Sequence, residues 1–399
     1  MIYYILIVCL IFAINFSFVR KDRNVLLIEK DKSFEKQICM IVAFALIIIA
    51  TFRSNSVGTD MGRYSYIYYY YRYEELDLFF SLLFKISDVL GLSFSAINFV
   101  TAILIYSCVC FVICKYSPNV LISIVLYLTL GLYARSLNMI RQMLAAALLM
   151  MTVSSLKEGN FIKFLFWVLL ASLCHISAII FLVVYPLRKV KFGWKTLLFG
   201  ILLGALIIVF LPIAVKIVSS IIGVDYYSRY FKTDMFNSLE LFRLTNIVAI
   251  FSFVIFIVFR KKFIERYSQE QKIYNLFLNI YFLYVLLLIV TTFLPSATAI
   301  GRISTYFYFS IIFLVPMLLK LVKTDIVFLV TNLIMIIAVV MFYISTSIQL
   351  ANNIVPYSNI FDSSVFNVAI GVIVISCGIM IIKLSYENYL VQKGKKKYE

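Results

Sequence analysis

The chain has 399 residues, of which 63% are hydrophobic and 14% charged, and its mean hydropathy is +1.01. Such a composition excludes a water-soluble globular domain. The 36 Lys and Arg outnumber the 19 Asp and Glu, but the basic residues stand in short clusters between apolar runs. That pattern fits loops facing anionic lipid and excludes a nucleic-acid module.

Crossing about 30 Å of hydrocarbon takes about 20 apolar residues, with every backbone polar group paired inside the helix. Apolar segments fall near 2–19, 38–52, 78–92, 95–114, 119–134, 139–155, 161–186, 196–222, 242–259, 273–294, 303–319, 324–345 and 365–384, thirteen candidates in all. Continuous runs such as Ile41 to Ala50 and Val368 to Met380 reject a β-barrel, whose strands alternate over about ten residues. The expectation is an all-α, polytopic transmembrane bundle of 11 to 13 membrane helices, forming one integral membrane domain over residues 1–399. No repeat, low-complexity tract or soluble linker divides it.

Met1 to Val19 lacks a basic leader and a small-residue cleavage site, and Arg20, Lys21 and Arg23 come after it. It reads as a retained first span with its N-terminus outside. The segment Arg20 to Lys36 carries six basic residues, Arg188 to Lys195 four, Arg260 to Lys272 five, and Lys383 with the tail lysines five more. These regions are placed in the cytoplasm, the C-terminus with them. The loop 346–364 has no Lys or Arg and is placed outside, as are 53–77, 223–241 and 295–302.

Between the outer loop at 53–77 and the inner one at 188 the number of crossings must be odd, and five apolar segments are available. One solution uses all five and gives thirteen spans. The other lays 78–92 along the outer surface, because Phe79, Phe80 and Phe84 share it with Lys85 and Asp88, and lets 139–155 dip in and return, which gives eleven spans. In that second solution Arg135 and Arg141 lie on the outer side.

Charged groups in or beside the bilayer are costly, which makes the retained ones functional candidates. The outer loop reads Arg53-Ser-Asn-Ser-Val-Gly58-Thr-Asp60-Met-Gly62-Arg63-Tyr64, followed by Glu74, Glu75 and Asp77. Guanidinium forks bind phosphate oxygens at two points, so Arg53 and Arg63 around Asp60 can grip a diphosphate. An ion-paired loop that anchors two helices is the plainer reading. Seven tyrosines lie between Tyr64 and Tyr73, as an interfacial belt or as rings that stack on sugars.

Further on, Arg135 and Asn138-Met-Ile-Arg141-Gln142 open the apolar run Met143 to Met151. They can serve as phosphate contacts or as snorkelling residues. The single histidine, His175, lies deep in an apolar segment and reads as a satisfied hydrogen-bonding group or as a base. Arg302 and Tyr306, in Gly301-Arg302-Ile-Ser-Thr-Tyr306-Phe307, stand at the outer start of a late segment.

No metal site is expected: Cys110 and Cys114 are one turn apart, but a zinc site needs further His or Cys partners. A phosphate-binding glycine loop, a nucleophile elbow and a dinucleotide fingerprint are also missing from the sequence, so no cofactor is expected.

Four motifs carry a resemblance: Arg53 with Val57-Gly58-Thr59-Asp60 and Tyr64; Ile140-Arg141-Gln142-x-Leu144-Ala145; His175-x-Ser177-Ala178; and Gly301-Arg302-x-x-x-Tyr306-Phe307. In this order and spacing the chain resembles the EpsG family of Wzy-like bacterial polysaccharide polymerases. The resemblance implies an enzyme of capsule, exopolysaccharide or O-antigen synthesis at the outer face of the bacterial cytoplasmic membrane. It would transfer a growing glycan from polyprenyl diphosphate onto a fresh lipid-linked repeat unit, without a metal. Arg53, Arg63, Arg135, Gln142, Arg302 and Tyr306 would hold diphosphate or glycan. Asp60, His175 and Arg141 would form the catalytic group, with Asp60 the first choice of base and His175 the second. Membrane lipids, a chain-length regulator and a flippase are the implied partners. A single site needs Arg141 on the side of Asp60, which favours eleven spans.

Two other classes compete. A lipid-linked oligosaccharide flippase or transporter would also need cations for a diphosphate, but should line a central cavity with two related halves, and no such symmetry is visible. A membrane acyltransferase with His175 as base would want a carboxylate close by, and Leu173 to Ile180 offers only Ser177.

Overall fold

The computed structural model describes residues 9–10, 18–21, 24–27, 32–222, 244–293, 297–322, 326–327, 329–334, 337 and 364–398. Most of the expected first span, the loop at 223–241 and much of 324–364 lie outside the described residues. Among the described residues the fold is helical apart from one hairpin, β1 (Phe18–Lys21) paired antiparallel with β2 (Asn24–Leu27).

Contacts group the chain into two compact units. The first comprises Met1–Val153, Leu165–Ile179 and Val315–Glu399, the second Ser154–Phe164 and Ile180–Leu314.

In the first unit, α1 (Lys32–Thr51) leads through the motif loop to α2 (Met61–Tyr69), α3 (Leu78–Val89) and the long α4 (Phe94–Tyr116). Helices α1 and α4 pack along their length, where Cys39 and Cys110 each direct a thiol at the other's carbonyl. Twelve residues in α3 reach only about 18 Å, too short to cross hydrocarbon. Its Phe80 and Phe84 are fully buried, with Phe84 set against Tyr68, Tyr73 and Phe94. Leu78, Leu82 and Ile86 of the same helix are exposed.

The next stretch is broken into short helices: α5 (Val120–Thr129), α6 (Leu132–Asn138), α7 (Ile140–Met150) and α8 (Thr152–Glu158). Asn119 caps α5 by accepting from the Ile122 amide at 3.0 Å. Gly131, at φ +79°, ends it and bends the chain 51° into α6. The α6–α7 join falls at Met139 (φ −92°, ψ 61°). Helix α9 (Phe161–Cys174) then runs into a 3₁₀ segment, Ile176–Val183, and a short helix α10 (Val184–Leu187).

In the second unit, α11 (Trp194–Ile222), α12 (Leu244–Arg266) and α13 (Gln271–Phe293) pack side by side. A side chain at Gly200 or Gly204 of α11 would strike Phe282 or Leu286 of α13, so the two glycines admit the bulky residues opposite. Hydrogen bonds tie polar side chains inside this unit: the Tyr274 hydroxyl donates to the Phe256 carbonyl at 2.7 Å, and Arg260 Nε to Asn275 Oδ1 at 2.7 Å. The Asn279 amide donates to the Leu187 and Val190 carbonyls at 2.8 Å, satisfying the chain where α10 ends. Helix α14 (Ala297–Tyr308) stacks Tyr308 on Tyr284, and α15 (Ile311–Leu319) stacks Phe313 on Phe277, each with centroids 4.5 Å apart. The last helix, α16 (Ser364–Tyr398), returns to the first unit and packs on α1.

Among the described residues five helices are long and apolar enough to cross a membrane, or six with the bent α5–α6 pair. Eleven to thirteen were expected from the apolar runs. The expected spans at 2–19 and over much of 324–345 lie outside the described residues, while the runs at 119–134, 139–155 and 161–186 are cut by the backbone into pieces of 14 residues or fewer. The chain is a multi-pass membrane protein.

Candidate active site

The site is built where four chain segments of the first unit meet. The motif loop after α1 is fixed first. Arg53 is 1% exposed: Nη1 donates to the Ala50 carbonyl at the end of α1 at 2.8 Å, and Nη2 donates to Asn98 Oδ1 in the first turn of α4 at 3.2 Å. It also lies 3.2 Å from the Met61 sulfur at the start of α2. A cation at a helix C-terminus completes its free carbonyls. Arg53 is therefore a clasp between α1, α2 and α4, the place where the structure puts this expected diphosphate contact.

Gly58 takes φ +101°, and a Cβ there would lie 2.8 Å from the Leu137 carbonyl oxygen. Only glycine lets this loop press onto the end of α6. Asn138 then anchors it by accepting from the Asp60 amide at 2.8 Å and from the Thr59 hydroxyl at 3.2 Å. The dock sets α2 beside the start of α7. There Tyr64 receives a hydrogen bond from Arg141 Nε at 3.4 Å, and the guanidinium carbon stands 5.3 Å from its ring centroid.

His175 comes from a different direction. The Tyr185 hydroxyl donates to the Gly159 carbonyl at 2.7 Å, and the Phe161 and Tyr185 rings meet at 4.8 Å. The chain from α9 to α10 is thus a helical hairpin. His175 sits at its turn, between the end of α9 and the 3₁₀ segment, instead of deep in one span as its apolar neighbours suggested. The likeness of a single span arose because both arms are apolar.

At the centre is Asp77, just ahead of α3. Its Oδ2 accepts from Arg141 Nη1 at 2.7 Å and lies 3.1 Å from His175 Nδ1, while Oδ1 accepts from the Ile176 amide at 3.2 Å. Burial pushes this carboxyl upward, but the bond from His175, the Arg141 charge and the Ile176 amide outweigh it and hold Asp77 below the usual carboxylate range. An ionised Asp77 accepts only, so His175 presents Nδ1–H to it and keeps Nε2 as the basic nitrogen. Three of its roughly four acceptor sites are taken by these contacts. It positions other groups.

The expected residues divide accordingly. Arg141 and His175 converge on Asp77, and the Asp60 carboxylate is near enough to Arg141 to act on its charge. Arg63 is turned outward, its side chain 66% exposed, and pairs with Glu75 at 3.4 Å, which Arg72 shares. Arg135 is half-buried on α6, and Gln142 is buried beside Arg141. In the second unit Arg302 is exposed on α14, while Tyr306 is fully buried. Among the described residues no group of His, Cys, Asp and Glu is placed to hold a metal ion.

Sequence reasoning named Asp77 only as one of three acidic residues trailing the loop. The segment Leu173 to Ile180 offers His175 no carboxylate, and the structure supplies one from 98 residues away. The signal was the position of Asp77, the acidic residue directly ahead of the apolar run that starts at Leu78.

The model of the EpsG family matches residues 36–359, most of the chain. No curated protein and no solved structure matches.

Proposed function

The chain belongs to the EpsG family, and from this premise we propose that it is a polysaccharide polymerase. It joins lipid-linked repeat units at the outer face of the bacterial cytoplasmic membrane, with its N-terminus outside and its C-terminus in the cytoplasm. The observation that carries the reading is the meeting of Arg141, Asp77 and His175 at the ends of α7, α3 and α9.

Two acts of chemistry are needed. The bond from the sugar anomeric carbon to the diphosphate oxygen must break, and the leaving diphosphate takes the electron pair. Arg141 keeps the Nη2 side of its fork for phosphate while Nη1 and Nε are held by Asp77 and Tyr64. The acceptor hydroxyl must lose its proton as its oxygen bonds that carbon, and His175 Nε2 takes it. Asp77 fixes the tautomer and stabilises the imidazolium that forms, as an oriented carboxylate does beside a histidine base. This moves the base from Asp60, the first choice by sequence, to His175. Arg141 and His175 share one carboxylate oxygen, so donor phosphate and acceptor hydroxyl are brought to neighbouring positions.

The test is lipid-linked glycan profiling in a strain carrying His175→Ala or Arg141→Ala. Long glycan should vanish while single lipid-linked repeat units accumulate outside. Accumulation of those units inside would overturn the reading in favour of a flippase.

A further inference from the structure

Helix α2 has two faces of different character. Met61, Tyr64, Ile67 and Tyr68 are buried, and Tyr64 meets Arg141. On the other side Tyr66, Tyr69, Tyr70 and Tyr71 are 47%, 57%, 64% and 66% exposed. Tyr66 and Tyr70 lie over one another with ring centroids 4.4 Å apart.

The rings are interleaved with charge. Arg72 bonds the Tyr66 hydroxyl and pairs with Glu75, which also binds Arg63. A face meant for hydrocarbon would have to desolvate three charged groups along with the rings, at a cost of several kcal/mol. Sugar rings present C–H faces edged by hydroxyls, and both halves of that chemistry are met by tyrosine faces among Arg and Glu.

The backbone supplies a second, independent observation. Tyr71 has φ +57°, in the left-handed region, with the Arg72 amide returning to the Ile67 carbonyl at 3.0 Å. This is the helix-ending position that glycine adopts most readily and a bulky side chain adopts only under strain. The chain keeps an aromatic ring there, in edge contact with Tyr73 at 6.1 Å.

We infer that the exposed side of α2 and its end, around Tyr66, Tyr70 and Tyr71, is a binding platform for the glycan, across the helix from the Tyr64–Arg141 contact. The inference rests on the polymerase reading and deepens it: the platform holds the sugars of a substrate whose diphosphate is held at Arg141. Tyr64 and these rings stand on one short helix and its end, which places the platform within a few residues of the site. Stacking tolerates many sugars, so the platform grips the backbone of a growing polymer without reading each residue.

The experiment uses the full chain in nanodiscs with Tyr70→Trp, a change at an exposed ring that preserves stacking. The probe is the oligosaccharide released by mild acid from the producing strain's lipid-linked repeat units. Emission from Trp167 and Trp194 is subtracted with the unsubstituted protein. The added emission should shift saturably with oligosaccharide, with affinity weakened about fivefold by a further Tyr66→Ala. It should also resist quenching by brominated phospholipid. Strong quenching by that lipid, or no response to sugar in nanodiscs that elongate lipid-linked units, overturns the platform alone. Failure of the unsubstituted protein to elongate those units in the same nanodiscs overturns the polymerase reading instead.

Discussion

Asp77 Oδ2 and His175 Nδ1 lie 3.1 Å apart, across 98 residues of sequence. One carboxylate thereby orients the histidine and anchors Arg141, its other oxygen being occupied by the Ile176 amide. The candidate base is held from behind, and its second nitrogen is left for chemistry.

Replacing Asp77 with Asn removes the charge and keeps the shape. The amide can present its NH₂ to His175 and favour the wrong tautomer, so elongation in reconstituted membranes should fall about tenfold to a hundredfold. Removing His175 should cost more, about a hundredfold or beyond. An Asp77→Asn enzyme as fast as the native one would remove Asp77 from the mechanism.

The depressed Asp77 pKa has a definite sign. A carboxyl held below its ordinary value of 3.8 in the folded state contributes stability that is complete above that value and is lost as pH falls through the lower, folded one. Thermal unfolding in detergent should therefore show no Asp77 contribution to pH dependence between about pH 5 and 8. An acid loss should appear only below about pH 4, and it should shrink in Asp77→Asn.

Arg53 and Arg141 look alike in sequence and should fail differently. Arg53→Ala strands Asn98 and the carbonyl at the end of α1, which should cost about 3 kcal/mol and lower the amount of folded protein. Arg141→Lys should fold normally yet restore little polymer, because an ammonium cannot bind Asp77, Tyr64 and a phosphate with one planar fork. Quantifying membrane protein level alongside glycan length separates the two outcomes.

Gly58→Ala meets both a left-handed backbone and the Leu137 carbonyl, 2.8 Å from the new carbon. A loss of about 2 kcal/mol or more is expected, read as a lower Tm. The loop would lift from Asn138, so polymer yield should drop even in the protein that folds.

The sequence by itself determined the solvent and the class. Runs such as Phe94 to Tyr116 are too apolar and too long to be anything but membrane helix, and α4 forms over those residues. The four short motifs also marked the family, because Gly58, Arg141, His175 and Arg302 keep their order and spacing along the chain. Hydropathy could not find the turn at His175 or the break at Met139. One or two residues interrupt each run there, and the average across the run barely changes.

Tertiary structure alone decided which polar residues share a site. Arg53 and Arg141 carry the same charge in similar apolar company, yet one ends buried against helix carbonyls and the other faces a carboxylate. Asp77 reaches His175 across 98 residues, just past the point where α9 ends. Those contacts join helix ends that lie far apart along the chain, and local pattern carries no record of them.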